Sequence, residues 1–194
     1  MVTAIRPGVL ALQGAVEPHL CAFRDLGYEP TEVRTRRQLD DITHLVLPGG
    51  ESTTLHNLLE RSGLWQPLYK RLVDGQLAAF GTCAGAILLG HCAEQCPPRL
   101  GIVDIEVQRN AYGRQLDSFI GDITFMDAGN FKISSPMRGV FIRAPRFGAM
   151  GEQVRVLGCH VGEVVLVQEG RHLLAAFHPE LTADRQLHRY FLSL

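Results

Sequence analysis

The segment FGTCAG, residues 80–85, sets Cys83 between Gly81 and Gly85 where an apolar run gives way to a helical pattern. This Gly-x-Cys-x-Gly spacing has the form of a nucleophile elbow with sulfur in place of oxygen. Such a turn holds its nucleophile in a strained backbone conformation at the C-terminal edge of a sheet. Side chains two residues away on either side would collide with neighbouring backbone, and glycine removes the collision. A helix opening at Ala84 turns its unpaired N–H groups and the positive end of its dipole toward the sulfur, which favours thiolate and can receive an oxyanion. Taken alone, the spacing fits a structural cysteine in a small-residue packing turn equally well.

A partner for the thiol decides between these readings. AFHPEL, residues 176–181, places His178 just after an apolar strand with Glu180 two residues on, and residues i and i+2 of an extended segment point to the same side. His178 is therefore expected to take the Cys83 proton while Glu180 fixes the imidazole tautomer, an arrangement of nucleophile, base and orienter. LPGGEST, residues 47–53, adds paired glycines after a strand. They allow the Gly50 N–H to complete an oxyanion hole with that of Ala84. No Gly-Lys-Ser/Thr ending follows, so the loop does not read as a phosphate cradle.

The elements that must position these groups follow from periodicity. GVLALQ at 8–13 and HLVLPGG at 44–50 read as buried strands, the second breaking at Pro48. Between them, Val16, Leu20, Phe23 and Leu26 recur at helical spacing with Gly27 as C-cap. STTLHNLLERSG after residue 51 reads as a helix capped by Ser52 or Thr53 with a face of Leu55, Leu58 and Leu59. Strand, helix, strand, helix in this order argues for a parallel sheet covered on both faces. From about residue 100 alternating runs joined by glycine turns predict antiparallel strands, and ADRQLHRYFLSL closes the chain as a helix. The expected fold is a single three-layer α/β domain over residues 1–194, with a central mixed, mostly parallel sheet and a flavodoxin-like first half.

Bulk properties bound the function. The 194 residues carry 19 basic and 20 acidic groups for a net charge of -1, which leaves no footprint for nucleic acid. No run approaches the roughly 20 apolar residues of a bilayer span, and no signal peptide is legible. Five cysteines, odd in number and irregularly spaced, suit a reducing compartment, so a cytoplasmic setting is expected. Cys92 and Cys96 beside His91 make only a weak zinc signal, and incidental thiols are the better reading. The histidines at 44, 56, 91, 160, 172 and 188 carry no motif and read as surface or packing residues.

GVLALQGAV, LPGGESTT, FGTCAG, RNAYGRQ, FIRAP and HPELT, in this order, resemble the glutaminase subunits of pyridoxal phosphate synthase, within the class I (triad) glutamine amidotransferases. The resemblance covers essentially the whole chain. It implies that Cys83 attacks the side-chain amide of L-glutamine, with His178 as base then acid and Glu180 as orienter. It also implies a glutamine pocket of Gly50, Glu51, Ser52, Arg109, Ile142 and Arg143, no cofactor, and ammonia delivery to a synthase subunit. His19 matches a family histidine, and Pro18 stands where relatives commonly carry Glu. A cysteine peptidase-like hydrolase on a related fold and a catalytically silent scaffold subunit are the alternatives.

Overall fold

The computed structural model describes residues 4–92, 97–109, 118–126 and 137–194. Its first half alternates strands and helices: β1 (Pro7–Leu10), α1 (Val16–Asp25), β2 (Thr31–Val33), α2 (Arg36–Asp41), β3 (His44–Leu47), α3 (Ser52–Arg61), α4 (Trp65–Val73), β4 (Ala78–Thr82) and α5 (Ala84–Leu89). Every residue of β1, β3 and β4 is buried. That uniform burial is why these strands read as unbroken apolar runs rather than alternating ones.

The second half is mainly strand: β5 (Ile105–Gln108), β6 (Ser118–Phe125), β7 (Met137–Ile142), β8 (Arg146–Met150), β9 (Arg155–His160), β10 (Glu163–Glu169) and β11 (His172–Ala175). A 3-10 turn at Pro179–Leu181 and α6 (Gln186–Phe191) follow. A nine-stranded sheet runs β2-β1-β3-β4-β11-β10-β9-β6-β7, and β5 pairs with β8 apart from it. The strands from β2 to β11 pair in parallel. From β11 outward the pairing is antiparallel. This is the expected mixed α/β sheet with a flavodoxin-like strand order in its first half. Phe23, Phe80, Phe141, Phe177 and Phe191 are the largest fully buried side chains.

Several local expectations shift. The first strand ends at Leu10, not at Gln13, because the chain bends away to Gly14 (φ 105°), after which the Ala15 N–H reaches the Gly49 carbonyl at 2.9 Å. The cap of α3 is Glu51 rather than Ser52 or Thr53, its carboxylate accepting from the N–H groups of Thr53 and Thr54. Leu58 is only half-buried, while Leu55 and Leu59 face the core. Pro18 falls in the first turn of α1, where a missing N–H removes no helical bond. Cys92, expected as an incidental thiol, is disulfide-bonded, while Cys21, Cys83 and Cys159 are free. Cys96 lies outside the described residues. Among those described, no helix is long and apolar enough to cross a membrane.

Candidate active site

The loops that leave β1, β3 and β4 at their C-terminal ends, the usual ligand edge of an open α/β sheet, converge on a cleft of about 250 Å³. Cys83 stands at the end of β4 with φ 47° and ψ -102°, a backbone conformation costly for any residue with a side chain. Its N–H donates to the Ala175 carbonyl at 2.9 Å and its carbonyl accepts from Ile87 at 3.1 Å, so sheet and helix clamp the turn from both sides. The flanking glycines answer to space. A Cβ at Gly81 would press on the backbone of Gly85 and Ala86, and one at Gly85 would strike the Leu47 carbonyl. The elbow predicted from spacing is therefore present with its steric cause.

His178 follows fully buried Phe177 and is anchored by its N–H to the Val140 carbonyl at 2.8 Å. Its ring packs over Gly49 so closely that a Cβ there would collide with it. Glu180 accepts from the His178 Nδ1 at 2.7 Å, its side chain completely buried. The two meet through the 3-10 turn opened by Pro179 rather than along an extended segment, which corrects the i, i+2 argument while preserving its result. With Nδ1 on the carboxylate, Nε2 is left for the thiol.

Burial opposes a charge on His178, but hydrogen bonding to Cys83 and Glu180 and their negative charge outweigh it and raise its pKa to about 10. Burial likewise opposes the Glu180 carboxylate, yet His19 and His178 hold it below the usual carboxylate range. The pair thus favours imidazolium beside carboxylate, next to the sulfur of Cys83. The Cys83 sulfur also lies 3.7 Å from the Ile142 carbonyl.

Gly50, Glu51, Ser52, Arg109, Ile142 and Arg143 all line the cleft, together with Cys83 and His178. Ala84, buried as the first residue of α5 directly after Cys83, and Glu180, hydrogen-bonded to His178, are not among the lining residues. Glu51 is fixed three ways: it caps α3, pairs with Arg109 at 2.8 Å, and has its N–H on the Gln13 side-chain oxygen at 3.2 Å. Partial burial works against its carboxylate, but the N–H and hydroxyl donors of Thr54, the Thr53 N–H and the Arg109 charge lower its pKa to about 2. Arg109 also reaches the Thr53 hydroxyl at 2.9 Å. Of RNAYGRQ only Arg109 is described. Arg143 adopts φ 43°, a second left-handed non-glycine residue at the cleft.

Sequence reasoning missed two participants in this geometry. Gly49 makes room for the His178 ring, a role no motif reveals. His188, read as a surface or packing residue, is fully buried and bonded to His19. Of the other unassigned histidines, His44 is buried beside the Thr43 hydroxyl at 2.8 Å, His160 stacks on Phe119, and His91 pairs with Asp104 at 3.0 Å near the surface.

Relatives share this chain over almost their whole length. A protein of Acidothermus cellulolyticus named pyridoxal 5'-phosphate synthase subunit PdxT is 48% identical, with 97% of this chain and 93% of that protein covered. A protein of the same name from Mycobacterium leprae is also 48% identical, covering 97% and 96%. A solved structure described as a glutamine amidotransferase superposes with a TM-score of 0.87 at 46% identity, covering 96% of each chain. The family model matches residues 9–194, nearly the whole chain: the chain belongs to the SNO glutamine amidotransferase family.

Proposed function

We propose that Cys83, His178 and Glu180 hydrolyse L-glutamine to L-glutamate and ammonia, and that the ammonia is passed to a synthase subunit making pyridoxal 5'-phosphate. One observation carries the catalytic part: a free, buried thiol held at positive φ shares a cleft with the imidazole of a 2.7 Å His–Glu pair. The synthase partner is supported by the relatives' shared name, which describes each as a subunit of that synthase.

His178 Nε2 takes the thiol proton, and the sulfur attacks the side-chain amide carbon of glutamine. The carbonyl oxygen becomes an oxyanion received by the N–H groups of Gly50 and Ala84. As it collapses, the C–N bond breaks and the imidazolium gives its proton to the departing nitrogen, which leaves as ammonia and a glutamyl thioester remains. Water then adds to the thioester carbon while His178 accepts its proton. The C–S bond breaks, the thiol is reprotonated and glutamate departs. Throughout, Glu180 holds Nδ1–H and stabilises the imidazolium. The zwitterionic head of glutamine is met by Glu51, Arg109 and Arg143, with Ser52 and Ile142 shaping the wall. No step calls on a cofactor.

The reading places one catalytic domain over residues 1–194, in the cytoplasm. The family favours glutamine over the substrates of a peptidase-like hydrolase, and intact Cys83, His178 and Glu180 weigh against a silent scaffold. Replacing the nucleophile tests the reading. Cys83→Ala and Cys83→Ser should lose glutamine turnover entirely while keeping the circular dichroism spectrum of the parent. Appreciable turnover by either folded variant would refute the assignment.

A further inference from the structure

Behind the triad the interior is polar. His19, on α1, is fully buried, and its Nδ1 lies 2.9 Å from Nε2 of His188, itself fully buried on α6. Its other nitrogen, Nε2, stands 3.3 Å from the Thr82 hydroxyl and 3.4 Å from Glu180 Oε2. Neither histidine lines the cleft. Side chains from four separate segments thus form a line from the nucleophile into the core: Cys83, His178, Glu180, His19 and His188.

Glu180 Oε2 gives that line its purpose. Its sister oxygen accepts from His178, whereas Oε2 is buried without a hydrogen bond among the described residues. A buried carboxylate oxygen needs a donor, and His19 Nε2 lies 3.4 Å from it.

The protons of the two histidines are settled by elimination. One proton occupies the contact between His19 Nδ1 and His188 Nε2. If His19 carried it, the His19 Nε2 lone pair would face the carboxylate. His188 would then hold its own proton on Nδ1, a buried nitrogen with no partner. If His188 carries it, His19 bears its proton on Nε2, directed toward Glu180 and Thr82, and only an acceptor site on His188 goes unused. A cationic His19 is disfavoured by burial, despite Glu180, and by the neighbouring charges of His178 and Arg185.

We propose that His19 is a positioning residue for the triad: its Nε2–H, with the tautomer set by His188, holds the second oxygen of Glu180 so that the first stays on line with His178. The proposal rests on the Cys83–His178–Glu180 reading and extends it. Removing the donor lets Glu180 rotate and protonate more readily, which weakens the imidazolium without touching the glutamine pocket. The titratable and charged groups facing this relay are Cys83, His178, Glu180, His188 and Arg185, the last held by Asp25 at 2.9 Å.

The test measures glutamine turnover across pH for the full chain in complex with its synthase subunit, comparing the parent with His19→Leu, His19→Asn, His19→Gln and Glu180→Gln. Circular dichroism establishes folding of each. His19→Leu fills the volume without a donor, and His19→Asn keeps a polar group that reaches His188 but not Glu180. Both should lose at least about tenfold in kcat with KM nearly unchanged, and the acid limb of the profile should move to higher pH. His19→Gln carries an amide nitrogen to the place of Nε2 and should recover kcat to within about threefold of the parent. If His19→Leu does not fold, the Asn and Gln variants carry the comparison. A folded Leu or Asn variant with parental kcat and acid limb, or a Gln variant as impaired as Asn, overturns the proposal. Parental turnover by Glu180→Gln would instead overturn the triad reading itself.

Discussion

A thiol attacks an amide usefully only if the proton it gives up can be returned to the leaving nitrogen, and at His178 that proton is held by two anionic neighbours against the pull of burial. With its pKa raised to about 10, the imidazolium persists through neutral pH, so kcat/KM should fall only on approach to strongly alkaline pH. Glu180→Gln offers a neutral partner in place of the carboxylate. We expect a loss of at least about tenfold in kcat, about 1.4 kcal/mol of barrier. The alkaline limb should move to lower pH, because one of the groups raising the imidazolium pKa is gone. A pH–rate profile superimposable on that of the parent would make Glu180 a bystander. Gly49→Ala tests the opposite kind of constraint. Its Cβ would enter the space of the His178 ring, so turnover should drop by about 10²-fold or more, with thermal stability reduced far less than the activity. Calorimetry alongside the glutamine assay checks both.

At the scale of elements, what was legible depended on whether a residue's neighbours in space were also its neighbours in sequence. The elbow was readable because Gly81, Cys83 and Gly85 clash or fit within one turn. The strands β1, β3 and β4 were readable because burial on both faces leaves continuous apolar runs. The cap of α3 was misread because Ser52 and Thr53 are common capping residues, whereas Glu51 caps here while also pairing with Arg109, a residue far along the chain. β2 escaped because only Val33 of its three residues is buried. His188 escaped because its reason for being polar is His19, 169 residues away in sequence. One element carries local strain that sequence could have flagged. The two-residue loop joining β9 and β10 places Val161 at φ 47° ahead of Gly162 at φ 81°, a turn in which Asn-Gly is favoured and a β-branched residue is not. Val161 is 89% exposed, so Val161→Asn sacrifices no packing. It should stabilise the fold by about 1 kcal/mol, raising Tm by roughly 2–4 °C. An unchanged or lowered Tm would show that the loop is not strained.

Across the whole molecule the sheet divides the labour. Its parallel strands, through the segments that follow β3, β4 and β11, deliver Gly50, Glu51, Cys83 and His178, while the antiparallel half, through β7, brings Ile142 and Arg143 to the same cleft. The nucleophile and its base therefore arrive from segments far apart in sequence and meet only when the sheet is complete. That dependence makes the covalent step the sharpest probe of the account. A glutamine analogue bearing a diazo-ketone in place of the side-chain amide should alkylate the nucleophile alone, and tryptic mass mapping locates the adduct. The account predicts one label per chain, on the peptide containing Cys83, with loss of glutamine turnover in proportion to labelling and protection by glutamine. A label on Cys21 or Cys159, or full labelling of Cys83 with turnover intact, would contradict it.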